Sequence, residues 1–197
     1  MAKTDKPKTA PRWPKGPFPE KYRWTAVEAR LIGAWEARAG ALDALGLTPR
    51  AGWDDPYVKL FEGDDLAAAR AALAEHEVFA FRWRGSERAG TAGEHAIGVV
   101  PARDPIVAVI AVGVAGPQHG IGTAALVRFL AVLRAFAAWE IEELGEDALA
   151  MKLVPHSEDA TLRIAERARQ ICPPLVAIEA PALAERIARE HRLSIEY

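Results

Sequence analysis

A glycine-rich segment holds the residues best suited to ligand chemistry. Residues 113–123 read GVAGPQHGIGT and join the apolar run PIVAVIAV to the run AALVRFLAVLRAF. Where a strand, a glycine turn and a helix start meet, exposed backbone N–H groups and the helix dipole attract anions. The candidate ligand-binding residues are Gly116, Gln118, His119, Gly120 and Thr123. Among them, His119 is the one side chain whose charge can change near neutral pH.

The same segment departs from the known phosphate-binding patterns. A Walker loop requires G-x-x-x-x-G-K-[ST], but the residue five positions after Gly116 is Ile121, and no lysine follows. The dinucleotide pattern is met only in its lenient form, G-x-G-x-x-A, from Gly120 to Ala125. Glycines in such a segment more often serve turns and close packing than ligands. The structural interpretation is therefore favoured, and ligand binding stays open as the alternative.

Other reactive residue types form no catalytic constellation. The segment GSER from Gly85 lacks the G-x-S-x-G pattern of a serine nucleophile. Glu94 and His95 stand at a strand start, where a hydrogen-bonded or exposed pair is expected rather than a general base. Cys172 follows a predicted helix and precedes a proline, so a buried structural thiol is expected. We assign no catalytic residue and no cofactor, and the sequence leans against an enzyme.

One acidic cluster could in principle bind a cation. Its members are Glu140, Glu142, Glu143, Glu146 and Asp147. Strand alternation would place Glu140 and Glu142 on one face and Glu143 on the other. We therefore expect a solvated hairpin and assign no metal site.

The composition is that of a soluble globular protein. The 197 residues are 50% hydrophobic and 26% charged, with a formal net charge of −2. Arg128 and Arg134 interrupt the most apolar helix, so no run reaches the roughly eighteen apolar residues that span a bilayer. The lysine-rich start lacks a following apolar segment, which predicts no secretory signal and a cytoplasmic protein. The single cysteine excludes an internal disulfide.

Charge is distributed unevenly along the chain. Residues 1–23 contain seven basic and two acidic side chains, a net charge of +5, which leaves −7 for the remainder. A lysine- and proline-rich terminus of this kind is usually a solvated, disordered tail. Nucleic acid is not expected as a partner, and only this tail could contact it.

Hydrophobic periodicity predicts a mixed fold. Helical spacing indicates a broken helix over 25–46 and a helix over 64–77, and alternation indicates a strand from Val78 and a second strand at HAIGVV. The later elements are predicted as a strand over 105–112, a helix over 123–139, a hairpin turning at 145–147, a helix over 157–171, a strand over 175–180, a helix from Pro181 and a strand over 193–197.

We therefore expect the α+β class, with a ferredoxin-like split β-α-β core, extra N-terminal strands and an N-terminal helical extension. The expected domains are a disordered basic tail over 1–23 and a single domain over 24–197. In that domain, 24–77 would be the helical extension and 78–197 the core.

Residues 76–197 resemble a bacterial family, the domain of unknown function number 4253. The corresponding segments are residues 114–121, Leu144-Gly145-Glu146-Asp147, Ile171-Cys172-Pro173-Pro174-Leu175-Val176 and Ile195-Glu196-Tyr197. Where that family has aspartates in two of its motifs, this chain has Gly120 and Pro174, and the W-W-D ending is replaced. The resemblance implies no activity. It also implies that any carboxylate site of the relatives is missing here.

The sequence favours a non-enzymatic bacterial protein-binding module, such as an immunity or regulatory partner. An acidic body would suit a basic partner through electrostatic steering. The apolar residues of the helix over 123–139 occupy more than one stripe, which suggests a homodimer through that helix. The alternative function is a small-molecule or anion sensor that uses the glycine-rich loop 113–123.

Overall fold

A computed structural model describes residues 18–50, 53–85, 95–116 and 120–197. Within these residues, seven α-helices and a six-stranded mixed sheet confirm the α+β class. The helices are α1 (Trp24–Leu31), α2 (Ala39–Leu45), α3 (Leu66–Leu73), α4 (Pro105–Val112), α5 (Thr123–Leu133), α6 (Glu158–Ile171) and α7 (Ala180–Glu190). The strands are β1 (Lys59–Glu62), β2 (Phe79–Arg84), β3 (His95–Val100), β4 (Ala137–Leu144), β5 (Ala148–Pro155) and β6 (Arg192–Glu196).

The sheet runs in the order β1-β3-β2-β4-β5-β6. All neighbours are antiparallel except β2 and β4, which are parallel and pair Arg82 with Glu143 and Trp83 with Leu144. A parallel pair needs a crossover connection, and α4 and α5 lie in the chain between these two strands. From β2 onward, the chain order is β2, β3, α4, α5, β4, β5, α6, α7 and β6. The ferredoxin-like split β-α-β core therefore stays a prediction.

The two faces of the sheet are covered to different extents. One face carries the main core, to which α1, α4, α5, α6 and α7 contribute buried side chains. On the other face, α2 and α3 pack against β1, β3 and β2 in a second, smaller core. The outer face of β4, β5 and β6 belongs to neither core and carries charged side chains among small and polar ones, with Val154 exposed. This is the ordinary arrangement for an antiparallel region with one wet face.

The predicted alternation of β2 is confirmed. Phe81 and Trp83 are buried in the main core, while Ala80 points to the smaller core. The ring of Phe81 lies across Gly98 on neighbouring β3, where a Cβ would come within 2.4 Å of the ring. A glycine is therefore required there, because it leaves room for the Phe81 ring.

The strand predicted at 105–112 is wrong, because this segment is α4. Asp104 caps the helix by accepting a hydrogen bond from the Ile106 N–H at 3.1 Å, Pro105 occupies the first turn, and Gly113 ends the helix at a φ of 75°. The residues from Ile106 to Ile110 are all buried. A short helix that is apolar on all sides has the same sequence pattern as a fully buried strand.

Two further predictions need correction. The strand predicted over 175–180 is a 3-10 helix at Pro173–Ala177 followed by the start of α7, because adjacent prolines favour a tight turn over sheet pairing. The helix predicted over 123–139 ends at Leu133, and residues 137–139 belong to β4. The short strand β1 was not anticipated.

Several local predictions are confirmed. The broken helix over 25–46 appears as α1 and α2, which ends at Gly46 in a left-handed conformation. The β4–β5 hairpin turns at residues 145–147, Ser157 caps α6, and β6 ends the sheet. No helix in the described ranges is both long and apolar enough to cross a membrane.

Residues 1–17 of the predicted basic tail lie outside the described structure. Within the rest of that segment, Glu20–Tyr22 form a 3-10 helix, and Tyr22 is buried at 3% exposure in the main core. The folded body therefore includes residues on the N-terminal side of position 24.

We predict that Gly98→Ala destabilises the protein by about 1–3 kcal/mol, because the new methyl group would clash with the Phe81 ring. The matched control is Gly40→Ala in α2, where a Cβ meets no atom within 4 Å. That change should raise the free energy of unfolding by about 0.5–1 kcal/mol through helix propensity. Urea denaturation measures both values, and equal effects would contradict this packing analysis.

Candidate functional site

The glycine-rich segment is a closed loop between two helices. Gly116 and Ile121 exchange backbone hydrogen bonds of 2.9 and 3.1 Å, and Gly120 within the loop has a φ of 68°. Gly122 is the N-cap of α5 and supplies no side-chain cap. Because α4 precedes this loop, the strand–loop–helix context of a dinucleotide site is absent from it.

The predicted ligand residues are only partly described. Gly116 is buried, Gly120 is exposed, and Thr123 is half-buried at the start of α5. Gln118 and His119 lie outside the described residues. The structure thus gives Gly116 and Gly120 clear backbone roles, and Thr123 is the one side chain of the predicted set that it describes beyond the glycines.

Tyr197 fills the space above Gly116. A Cβ on Gly116 would lie 2.3 Å from the Tyr197 ring, so this position requires glycine. The Tyr197 hydroxyl is buried without a hydrogen-bond partner, and burial raises the pKa of Tyr197 well above its usual range. On the side that faces Tyr197, the loop is therefore packed rather than open to a ligand.

Cys172 lies in the same region and is buried, as predicted. Its Sγ donates a hydrogen bond of 3.4 Å to the carbonyl oxygen of Glu196. Burial raises the pKa of the Cys172 thiol, which keeps it protonated at neutral pH. Cys172 is thus a packing residue with little nucleophilic character.

The acidic hairpin turn lies next to the loop. The Ala115 N–H donates to the carbonyl oxygen of Glu146 at 2.8 Å, and the Tyr197 N–H donates to that of Asp147 at 3.0 Å. Two carboxylates on this turn make the local potential more negative, which opposes anion binding at the start of α5.

The carboxylates of β4 are already paired with cations. Glu140 pairs with Arg70, Glu142 with Lys152 at 2.9 Å, and Glu143 with Arg192 at 3.5 Å.

The predicted placement of Glu140 and Glu143 on opposite faces of the strand is wrong. A bulge between Ile141 and Glu143 places Glu143 opposite Ala150 and on the same face as Glu140. Within the described residues, no group of acidic, histidine or cysteine side chains has the arrangement of a metal site.

Another predicted pair is only partly placed. His95 begins β3 and lies opposite Arg84 of β2. Glu94 lies outside the described residues.

A partly buried polar network is the feature that sequence analysis missed. Both oxygens of Asp104 are engaged: Oδ2 accepts from the Tyr22 hydroxyl at 2.7 Å, and Oδ1 accepts from Arg134 at 2.7 Å and from the Ile106 N–H. The pair Asp104-Pro105 has the pattern of a helix N-cap, which was a usable signal. The partners Tyr22 and Arg134 are 82 and 30 residues away along the chain, so no local pattern joins them.

The network shifts the pKa of two of its members. Burial alone would raise the pKa of Asp104, but hydrogen bonds from Tyr22 and Ile106 and the nearby Arg134 outweigh it, so the net pKa is lowered. Burial and the Asp104 carboxylate raise the pKa of Tyr22 to about 12. The ionised carboxylate and the neutral phenol are thus the stable pair over the whole neutral range.

Comparison with known proteins identifies no relative. No known protein family, no curated protein and no solved structure matches this chain.

We predict that Tyr22→Phe lowers the free energy of unfolding at pH 7 by about 1–3 kcal/mol, because it removes a hydrogen bond to a charged acceptor. The lowered pKa of Asp104 stabilises the folded state above about pH 4, and this stabilisation is lost as the pH falls through the folded pKa. The raised pKa of Tyr22 stabilises it below about pH 10, and this contribution is lost as the pH rises toward about 12.

The free energy of unfolding of Tyr22→Phe should therefore fall less steeply than that of the wild type at both acidic and alkaline pH. Urea denaturation across the pH range measures this. Tyr57→Phe is the control, since Tyr57 also donates to a carboxylate, Glu28, at 2.8 Å but is more exposed. Parallel pH profiles for the wild type and Tyr22→Phe would contradict the role assigned to the network.

Proposed function

We propose that this chain is a non-enzymatic bacterial protein-binding module of the cytoplasm, an immunity or regulatory partner whose docking surface is formed by α1. The observation that supports this proposal is an exposed row of large side chains on that helix. Trp24 is 42% exposed and Ile32, which caps the helix end, is 69% exposed. Aromatic residues of this kind dominate the binding energy of protein interfaces.

The row has a regular spacing. Trp24, Glu28 and Ile32 follow one another every four residues, and this row runs along the edge of the buried face of α1, which holds Val27 and Leu31. Val27 and Leu31 anchor α1 in the main core, and the row beside them stays at least partly open to solvent.

Tyr57 extends this row sideways. Its ring meets that of Trp24 edge-on at 5.1 Å, and its hydroxyl donates to Glu28 at 2.8 Å. We call Trp24, Glu28, Ile32 and Tyr57 the aromatic stripe. The contacts of Tyr57 with Trp24 and Glu28 hold these three side chains in place before a partner arrives, which reduces the entropy lost on binding.

The charges around the stripe suit a basic partner. The nearby cations are engaged: Arg23 pairs with Glu20 at 2.7 Å, and Arg30 donates to the backbone carbonyls of Ala26 and Lys21. The carboxylates of Glu28 and Asp54 have no cationic partner among the described residues. The occupant we propose is therefore a protein that surrounds an apolar pocket with Lys or Arg.

The overall charge acts in the same direction. The described residues carry nineteen basic and twenty-four acidic side chains, a net charge of −5. Such a body attracts a basic partner over distances of about a Debye length and speeds association at low salt.

We do not propose the homodimer that the sequence suggested through residues 123–139. The apolar side chains of α5 are buried inside the chain itself and comprise Leu126, Val127, Phe129, Leu130 and Leu133. These side chains are not free to bind a second copy. The exposed positions Ala124 and Arg128 form no broad apolar face.

A small-molecule or anion sensor at residues 113–123 stays the alternative function. It is supported by the start of α5, which has no side-chain cap. It is opposed by the packed Tyr197 ring and the acidic turn. A ligand that co-purifies with the wild type and is lost from His119→Ala would favour this alternative.

We predict that Trp24→Ala combined with Ile32→Glu raises the Kd for the partner protein by about thirtyfold or more, the effect of losing one interface hot spot. Affinity capture from native lysate would identify the partner, and surface plasmon resonance with the purified pair would measure the Kd. The wild-type association rate should fall as salt rises.

Val176→Glu is the matched control, because Val176 is 55% exposed but lies away from α1. A variant that lacks residues 1–17 tests the basic tail and leaves the buried Tyr22 in place. Equal binding by the wild type and the α1 variant, or loss of binding only in Val176→Glu, would contradict the proposed surface.

A further inference from the structure

A recess lies beside the Asp104–Arg134 ion pair. It has a volume of about 390 Å³ and is lined by Pro105, Arg134, Ala137, Ala138, Trp139 and His156. Its walls come from the start of α4, the end of α5 and the adjoining ends of β4 and β5. The His156 N–H donates to the Phe136 carbonyl at 2.9 Å, which fixes the backbone at its rim.

The polar lining is rich in hydrogen-bond donors. Among the described residues, the Arg134 guanidinium makes one hydrogen bond, from Nη2 to Asp104, although a guanidinium carries five N–H donors and no acceptor. The Nε1 of Trp139 is buried and has no partner in the described part of the chain, so it lies close to the recess without being exposed in it. The exposed His156 can donate from its ring. Donors in excess of acceptors favour a ligand that only accepts hydrogen bonds.

The nearest carboxylate, Asp104, takes one N–H of Arg134 and leaves its other donors to the recess. Both oxygens of Asp104 already accept hydrogen bonds, from Tyr22 on one side and from Arg134 and Ile106 on the other. Asp104 is also absent from the lining of the recess. The remaining charge at the wall is therefore the positive charge of Arg134.

The Arg134 side chain is well positioned for recognition. Its guanidinium lies 5.4 Å from the centre of the Trp139 ring, in a cation–π contact, and its side chain keeps 45% exposure. Contact with Asp104 and the Trp139 ring restrains the group while it stays accessible. A guanidinium held in this way binds carboxylate or phosphate oxygens in a fork.

A larger cavity elsewhere lacks this character. It has a volume of about 560 Å³ between α2 and β1, and its lining includes Asp43 as well as Arg50 and Lys59. Its tryptophan, Trp53, already donates to the Val58 carbonyl at 2.9 Å. Both charge signs are present there, and the indole N–H is satisfied.

We propose that the recess at Arg134 binds a small oxyanion, a carboxylate or a phosphate, through the N–H groups of Arg134 that point away from Asp104. Trp139 and the small side chains of Pro105, Ala137 and Ala138 form the apolar wall against the rest of the ligand. This site is separate from the aromatic stripe and from the loop 113–123.

The test is an NMR titration of the ¹⁵N-labelled full chain at constant ionic strength. Inorganic phosphate and benzoate serve as the two probes, with sodium chloride as the balancing salt. The chain has six tryptophans, so six indole N–H signals are expected, and Trp139→Phe assigns the one at the recess. We expect the Trp139 signal to shift and saturate, while chloride leaves it unchanged.

Substitutions locate the site. Arg134→Gln should weaken binding about tenfold or more, because it removes charge-assisted hydrogen bonds. Arg134→Lys keeps the charge and the partner of Asp104 but loses the fork, so an intermediate loss is expected. Arg128→Gln on the same helix is the control, because its side chain is exposed and its guanidinium lies over Phe18. Thermal melts confirm that each variant is folded.

The outcomes are distinguishable. A shift with phosphate but not benzoate assigns the site to tetrahedral anions, and the reverse assigns it to carboxylates with a flat apolar body. A shift that survives Arg134→Gln but is lost in His119→Ala moves the site to the loop 113–123 and overturns the proposal. A Trp139 signal that stays fixed with both probes overturns it as well.

Discussion

The carboxylate of Asp104 is the contact on which the packing of the N-terminal segment, α4 and α5 depends. It caps α4, receives the hydroxyl of Tyr22 from the segment before α1, and pairs with Arg134 at the end of α5. A carboxylate removed from water is costly unless several donors replace the lost hydration. The three donors meet that requirement only when the three elements lie side by side. The local cap and the tertiary arrangement are therefore stabilised together.

The unequal covering of the sheet follows from a second arginine. Arg70 of α3 donates to the Ala80 carbonyl of β2 at 3.1 Å and reaches Glu140 and the Ile141 carbonyl on β4. These bonds hold α3 over β2. On this face of the sheet, the helices α2 and α3 cover β1, β3 and β2 but not β4, β5 and β6. Beyond these helices, the outer face of the sheet relies on ion pairs such as Lys152–Glu142 and Arg84–Glu196. Such pairs contribute little stability when exposed, but they place charged groups in water on this face.

Sequence patterns predicted the elements that have one wet side. The alternation of Phe81 and Trp83 with Arg82 identified β2, and the cap at Ser157 identified α6, because burial on one side leaves a period that can be recognised. The period is lost when both sides are buried, and α4 was mistaken for a strand for that reason. The site residues were harder still to foresee. The contacts of Asp104 with Tyr22 and Arg134 span long stretches of the chain, and nothing in a local window indicates them.

The aromatic stripe and the oxyanion recess share a structural link through Asp104. Tyr22 precedes α1 by two residues and Arg134 lines the recess, and both bind the same carboxylate. An anion that pulled the Arg134 guanidinium away from Asp104 would leave this carboxylate with two donors, the Tyr22 hydroxyl and the Ile106 N–H, and would so alter the network that holds Tyr22 before α1. Coupling between two binding sites is reciprocal, so a partner that rigidifies α1 would change anion affinity by the same factor. The size of that factor depends on how far the ligand moves Arg134 away from Asp104. A ligand that leaves the contacts of Asp104 with Tyr22 and Arg134 unchanged cannot affect α1 through them.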